Sequence, residues 1–367
     1  MRRIFSTHLA KCGVIFVLLN SVLFAQNKAF EEYFPANTKG FVSVPNVQTI
    51  QQSWDRISLG KLAADPVITP FVTDLRDQIQ ARLDRTGVRI GLEINDLVDV
   101  CAGQVAVGFL KPEKGNQKHA IAAIADVTGK AEAADQLIKK VEKNMADRNA
   151  KLNRKMVGDV EMSIFAVPIK EGARKTFDAV IFQFNNLLVA VDHEQTAVQI
   201  LALIKGANTP TLADHKGFKK VIQRCTKESN GLAPQLKWFV EPIGYALVAR
   251  EAAAVPQGRN DILGAISKQG FDCVLGVGGF ANLDVGDFEI LLRGYAYAPP
   301  IPGAGPEKYQ KAARVLAFPG KAPLVVEPWV PDAINSYVTA TWEIQDSYEF
   351  IDTLVDEIAG EPGFFEV

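Results

Sequence analysis

The densest cluster of residues that could do acid–base chemistry or hold a metal is Asp192-His193-Glu194. A histidine between two carboxylates could act as a general base or supply two metal ligands. The same residues also suit the first turn of a helix, where carboxylates offset the positive end of the helix dipole. Because Asp192 would be the N-cap and Gln195 stands three residues later, as in a capping box, we favour the structural interpretation.

Other local signatures of catalysis are missing from the sequence. His119, His193 and His215 lie in no spacing typical of a zinc or iron site. The chain contains neither the serine elbow GxSxG nor the phosphate loop GxxxxGK[ST]. The glycines of residues 276–279 lie inside an apolar stretch with no helix directly after it, so they indicate close backbone packing. We therefore assign no catalytic residue, no metal ligand and no cofactor.

A basic segment between residues 139 and 155 is a candidate surface for an anionic partner. Its candidate binding face consists of Lys140, Lys143, Arg148 and Lys151. Such a run is also typical of the solvated face of an amphipathic helix. The segment has no interleaved aromatic residues that could stack on bases, so we expect no nucleic acid. An envelope protein or polymer is the partner class that this face suits.

The N-terminus has the layout of a secretory signal peptide. Arg2 and Arg3 precede an apolar core at residues 12–24, and Ala25 is a small residue before Gln26. This apolar core is shorter than the roughly 20 residues that a membrane-spanning helix needs. We predict cleavage between Ala25 and Gln26, export to the periplasm, cell envelope or medium, and no stable membrane span. An uncleaved anchor is the alternative.

Composition is that of an ordinary globular protein. The 367 residues are 48% hydrophobic and 22% charged, with a net charge of −2, so no overall field attracts nucleic acid or an anionic membrane. Cys101, Cys225 and Cys273 have mostly apolar or helical surroundings. We interpret them as small buried hydrophobic residues, with one disulfide as the alternative.

Hydrophobic periodicity predicts an α+β fold of mixed or antiparallel sheets, with helices packed on one face. Alternating patterns predict strands near residues 40–44, 104–110, 120–127, 160–167, 271–283 and 288–297. Helical spacing predicts helices near residues 47–57, 69–83, 128–149 and 309–316, and another after Asp214. Residues 238–250 fit either pattern.

One further stretch combines several local signals. Residues 177–191 read as a hairpin that turns at Asn185-Asn186, because asparagine tolerates positive φ. A helix to about Lys205 should follow this hairpin directly.

We expect two related α+β subdomains after the signal peptide of residues 1–25. The first covers residues 26–230 and the second residues 231–367, which could be an incomplete repeat. The hypothesis depends on an echo between residues 33–44 and 329–340, which share an aromatic-x-Pro start and a later aromatic-Val pair. Three tryptophans are expected in the core or at hinges: Trp238, Trp329 and Trp342.

Residues 35–66 and residues 211–218 contain recurring steps (Pro-x-x-Thr-x-Gly, Leu-Gly-x-Leu-x-x-Asp-Pro and TLADHKGF). In these two stretches the chain resembles a family of uncharacterised exported bacterial proteins of planctomycete type, which carry a domain of unknown function. The first stretch matches the family pattern at Pro35, Thr38, Gly40, Leu59, Gly60, Leu62, Asp65 and Pro66. Residues 211–218 (TLADHKGF) resemble a second recurring step of that family. The resemblance implies export and a repeated fold, and it implies no particular chemistry.

These observations favour an exported, non-enzymatic protein with a binding or structural role in the periplasm or cell envelope. The alternative is an extracytoplasmic hydrolase whose site is assembled from distant residues. A cleft with two carboxylates of raised pKa, or with a nucleophile beside a base, would favour the hydrolase.

Overall fold

The computed structural model describes residues 28–85, 99–113, 117–168, 176–253, 261–303, 305, 308–318, 325–331, 333–334, 337–339, 341–342 and 344–364. The predicted signal peptide, with Ala25 and Gln26, lies outside these residues. No helix within them combines the length and the apolar character needed to cross a membrane.

The described strands form one sheet in which every neighbouring pair is antiparallel. In chain order they are β1 (Thr38–Val44), β2 (Val105–Leu110), β3 (Ala120–Asp126), β4 (Lys151–Val157), β5 (Val160–Pro168), β6 (Thr176–Phe184), β7 (Leu187–Val191), β8 (Leu236–Val240), β9 (Gly276–Val285) and β10 (Phe288–Tyr297). Their order across the sheet is β10-β9-β8-β1-β2-β3-β7-β6-β5-β4. The sheet and its helices confirm the predicted α+β class.

The described helices are α1 (Val47–Arg56), α2 (Ser58–Ala63), α3 (Thr69–Arg85), α4 (Ala131–Asp147), α5 (Glu194–Ile204), α6 (Lys216–Glu228), α7 (Pro242–Ala252), α8 (Ile262–Lys268) and α9 (Ile344–Ala359). Short 3₁₀ turns occur at Phe30–Glu32, Leu212–Asp214, Phe271–Cys273 and Lys311–Leu316. The helix predicted near residues 309–316 is the last of these turns.

Helices cover both faces of the sheet, so the expectation of helices on one face is wrong. Val180 and Phe182 of β6 pack in one core with Ile200 of α5. Their neighbours Ala179 and Ile181 belong to a second core, which includes Leu137 of α4. Because successive strand residues point to opposite faces, a strand that is apolar at every position needs cover on both. β7 has this composition, and all its residues are buried.

The β6–β7 hairpin confirms the turn chemistry read from the sequence. Asn185 and Asn186 form the two-residue turn with φ values of 48° and 61°. Residues 238–250, which fit either pattern, contain both a strand and a helix: β8 ends at Val240, and α7 begins at Pro242. Proline suits this position because the first turn of a helix needs no amide hydrogen.

Several local expectations are corrected. The strand predicted from residue 271 begins at Gly276, after a 3₁₀ turn. The basic segment, read as a helix face, extends past α4 into the unpredicted strand β4. Of the tryptophans expected in the core or at hinges, Trp329 is 75% and Trp342 41% exposed, whereas Trp238 in β8 is half-buried. The three cysteines are buried and free, so the disulfide alternative is not realised among them.

The predicted echo between residues 33–44 and 329–340 is not confirmed. The first segment contains β1, whereas the described residues of the second contain no strand. The sheet has a different internal correspondence. A strand followed by helices and then a hairpin occurs as β1 with β2–β3 and as β8 with β9–β10. The two sets meet at the central β1–β8 pair and extend from it in opposite directions, so the sheet continues across the proposed boundary at residue 230.

Candidate functional site

A cleft of about 820 Å³ opens beside the central strand pair. It is bordered by the start of β1, the end of β2, the start of α6, the first turns of α7 and the segment before β9. Its polar lining consists of Asn37, Lys39, Lys111, Glu113, His215, Lys216, Glu241 and Asp272. Its apolar lining consists of Pro112, Ile243, Leu247, Val274 and Leu275. A concave surface with both kinds of residue is typical of a small-molecule site.

Glu241 is the centre of the polar lining. Its carboxylate accepts a hydrogen bond from Nζ of Lys39, and Nε2 of His215 lies 3.2 Å from its Oε2. The three side chains are between 19% and 23% exposed. The Glu241 amide also donates to the Lys39 carbonyl at 2.8 Å. The backbone hydrogen bond therefore places Glu241 beside Lys39 independently of their side-chain contact.

His215 has both ring nitrogens engaged. It is the N-cap of α6, and its Nδ1 accepts the amide hydrogen of Phe218 at 3.4 Å. An accepting Nδ1 places the ring proton on Nε2, which faces Glu241. Neither nitrogen can then take a proton from a nucleophile. Among the described residues, the lining contains no serine, threonine, cysteine or tyrosine that could serve as one.

The pKa of Glu241 shows which effect dominates this cluster. Burial raises the pKa, but the hydrogen bonds from His215 and Lys39, together with the charge of Lys39, outweigh burial and bring the pKa below its ordinary value. Glu241 is therefore ionised at neutral pH and balances Lys39. This carboxylate does not have the raised pKa that a general acid of a hydrolase needs at neutral pH.

The rim of the cleft carries charges of both signs. Lys111, Lys216 and Glu113 are exposed, and none of them forms a salt bridge within the described part of the chain. Asp272 accepts a hydrogen bond from Ser267 at 2.5 Å. The rim therefore offers both cations and carboxylates to a ligand.

The side chains of the predicted cluster Asp192-His193-Glu194 each contact a different partner. Asp192 is 2% exposed, and its Oδ1 accepts the amide hydrogen of Ile121 in β3 at 2.6 Å. Glu194 pairs with Lys155 at 2.6 Å. No group of three or more metal-binding side chains is assembled among the described residues. Asp192 and Glu194 therefore each have a partner in a strand, Ile121 of β3 and Lys155 of β4.

The cap of α5 differs from the prediction in one detail. His193, not Asp192, is the N-cap, and its Nδ1 accepts the amide hydrogen of Thr196 at 3.3 Å. Asp192 precedes the N-cap by one residue, and its carboxylate accepts the amide hydrogen of Ile121 in β3 instead of capping the helix. A capping box does occur, between Thr211 and Asp214.

Asp192 also has a partner that its sequence position does not indicate. Nε2 of His119 lies 3.8 Å from its Oδ2. Burial raises the pKa of Asp192 to about 8, against the opposing effect of the Ile121 amide. Burial likewise lowers the pKa of His119. The pair is therefore largely uncharged at neutral pH.

The candidate binding face lies on α4 and at the start of the edge strand β4. Lys140 and Lys143 are on α4, Arg148 follows it, and Lys151 begins β4. All four residues are exposed. Their neighbour Arg154 pairs with Glu142 and Glu161, at 2.9 and 2.8 Å. None of the four lines the cleft.

Sequence reasoning missed the cleft cluster. Lys39 and Glu241 are 202 residues apart, and no local spacing joins them to His215. The one available signal was the strand-to-helix change at Glu241-Pro242, which left residues 238–250 ambiguous.

Comparison with known proteins gives no match: no protein-family model, curated protein or solved structure is similar to this chain.

Replacing Glu241 by glutamine should lower the free energy of unfolding at pH 7 by about 1–3 kcal/mol, because Lys39 loses its ionised partner. A lowered carboxyl pKa stabilises the fold above the unfolded-state value of 4.5, and this contribution disappears as the pH falls. The two proteins should therefore converge in acid, as measured by urea unfolding from pH 3 to 8. Glu113→Gln, on the rim, is the matched control and should match the wild type throughout. A constant difference at every pH would contradict this account.

The effect of replacing Asp192 by asparagine on the free energy of unfolding should have the opposite pH dependence to that of Glu241→Gln. A pKa raised from 3.8 to about 8 favours the protonated form, so the wild type loses stability as the pH rises through that interval. A pKa difference of one between the folded and unfolded states is worth about 1.4 kcal/mol, so the loss should be a few kcal/mol. Urea unfolding from pH 5 to 9 should show this slope in the wild type and in the exposed control Asp287→Asn. Asp192→Asn should lack it, and equal slopes in all three proteins would refute the assignment.

Proposed function

We propose that the chain is an exported, non-enzymatic binding protein whose ligand site is the cleft around Glu241. The observation that carries the proposal is the ion-paired and hydrogen-bonded cluster of Lys39, Glu241 and His215 beneath an open cleft. These groups satisfy one another, so none of the three is free to act as a base toward a nucleophile. Such a cluster suits a rigid binding surface better than a reacting centre.

The charges of the rim suggest the class of ligand. Lys111 and Lys216 can receive a carboxylate, whereas Glu113 and Asp272 can receive an ammonium group. Ile243, Leu247 and Val274 supply an apolar wall. A small zwitterion with an apolar side chain, such as a dipeptide, fits all three features.

The hydrolase alternative gains no support from the cleft. Its described lining has no serine, threonine, cysteine or tyrosine to act as a nucleophile, and the pKa of Glu241 is lowered. The carboxyl group with a strongly raised pKa, Asp192, is buried and does not line the cleft.

Export and family membership belong to the same proposal. The N-terminal residues support a cleaved signal peptide. The matches at residues 35–66 and 211–218 support membership of the exported planctomycete-type family. Residues 211–218 lead into α6 and include His215, so this recurring step would supply one side of the cleft.

A dipeptide with a leucine side chain should bind to the purified protein in isothermal titration, whereas its N-acetyl and C-terminal amide forms should bind more weakly. Lys216→Gln and Glu113→Gln should each weaken binding about tenfold or more, because each removes one charge-assisted hydrogen bond. Lys219→Gln, on the same helix as Lys216 but outside the cleft, is the control. Equal affinity in all variants, or cleavage of the dipeptide, would contradict the proposal.

Protein recovered from the extracytoplasmic fraction should begin at Gln26, as read by intact-mass measurement and N-terminal sequencing. Ala25→Leu should reduce cleavage, because the site needs a small residue before the cut. Recovery of a chain that retains residues 1–25 in the membrane fraction would support the anchor instead.

A further inference from the structure

Strand β10 is an open edge of the sheet, and one of its faces is apolar. It pairs with β9 only, so its outer backbone groups have no strand partner among the described residues. Phe288, Ile290 and Leu292 point to the same face and are 59%, 44% and 70% exposed. A ten-residue edge with such a face is a template for pairing with another chain.

The opposite edge, β4, is protected in a way that β10 is not. β4 carries Lys151, Arg154 and Lys155, and six of its seven residues are exposed. Charged side chains along an exposed edge strand, lysine especially, are a common way of preventing edge association. β10 carries one acid and one base, Glu289 and Arg293, and no proline.

The charges of β10 are self-complementary. If two copies of β10 pair antiparallel about a two-fold axis at Leu291, Glu289 of one chain stands opposite Arg293 of the other, and the reverse. Ile290 then stands opposite Leu292 on the apolar face. Opposite charges and apolar pairs in directly facing positions each stabilise a sheet. The symmetry of a closed dimer requires this kind of self-matching surface.

Arg293 lacks an acidic partner among the residues that the structure describes. It forms no ion pair with any of them, and within the same part of the chain its Nη1 is buried without a hydrogen-bond partner. Arg293 as a whole is only partly buried, so the accessible part of its guanidinium can donate to a carboxylate supplied from outside. Glu289 uses Oε1 to accept from Ser58, which leaves Oε2 for a second donor.

We propose that this protein forms a two-fold symmetric dimer by antiparallel pairing of β10 with β10 of a second copy, in register about Leu291. The pairing extends the sheet across two chains, gives the outer backbone groups of β10 a strand partner and gives each Arg293 a carboxylate. This surface is separate from the ligand cleft, so the dimer does not depend on the proposed binding function.

Charge-swap variants test the register directly. In sedimentation equilibrium over a concentration series, the wild type should dimerise, whereas Glu289→Arg and Arg293→Glu should each dimerise at least tenfold more weakly. An equimolar mixture of the two single variants should recover the dimer, because the mixture places opposite charges at both contacts. The double variant Glu289→Arg/Arg293→Glu should also recover it, which a folding defect cannot explain. Lys151→Glu, at the other edge, should leave the dimer unchanged.

Three outcomes would overturn the proposal. A wild type that is monomeric at every concentration would exclude a second copy as the occupant of this edge. Single variants that dimerise as well as the wild type would exclude the pairing. Failure of both the mixture and the double variant to recover the dimer, with circular dichroism showing folded proteins, would exclude the register about Leu291.

Discussion

The antiparallel pairing of β1 with β8 is the interaction on which the rest of this structure depends. It joins two strand–helix–hairpin units into one sheet, with Phe41 opposite Phe239 at its centre. It also brings the Glu241 amide to the Lys39 carbonyl, so the ion pair of the cleft continues the strand ladder. Loss of this pairing would separate the sheet halves and disassemble the cleft at the same time.

Close packing around this pair accounts for two local features of the sequence. A side chain at Gly40 would place its Cβ 2.6 Å from the ring of Tyr245, so the glycine allows α7 to lie on β1. Tyr245 then packs edge-on against Phe109 of β2, with ring centroids 5.4 Å apart. On α6, a Cβ at Gly217 would lie 2.0 Å from the Leu275 carbonyl oxygen. Glycine at these two positions allows the elements that form the walls of the cleft to lie close together.

Signals within a few residues of one another predicted most of the helices and strands. They could not predict features that depend on contacts between distant segments. Alternation and turn residues identified the β6–β7 hairpin and its Asn185-Asn186 turn because both signals act within a few residues. Strand β4 was missed because its exposed charged residues have no apolar alternation, which is typical of a protected edge. The cap of α5 was misplaced by one residue because the Asp192 carboxylate bonds to Ile121, 71 residues away.

The cleft could not be predicted from the sequence for the same reason. Lys39, His215 and Glu241 come from three separate stretches, and each has an ordinary local role: a strand residue, a helix cap and the residue before a helix. Only the strand order reveals that they meet. The internal correspondence was obscure in the sequence too, because it resides in the order of elements and not in matching residues.

The same strand order keeps the cleft and the β10 edge apart. β10 lies three strand positions from β1, which at about 4.8 Å per strand is roughly 14 Å across the sheet. Along the strands, Leu291 pairs with Asn282, whereas the cleft reaches β9 only at Leu275, beyond its Gly276 end. Six residues at about 3.4 Å each add roughly 20 Å between Asn282 and Gly276. A partner strand at the edge would therefore leave both clefts of a dimer open, one on each chain.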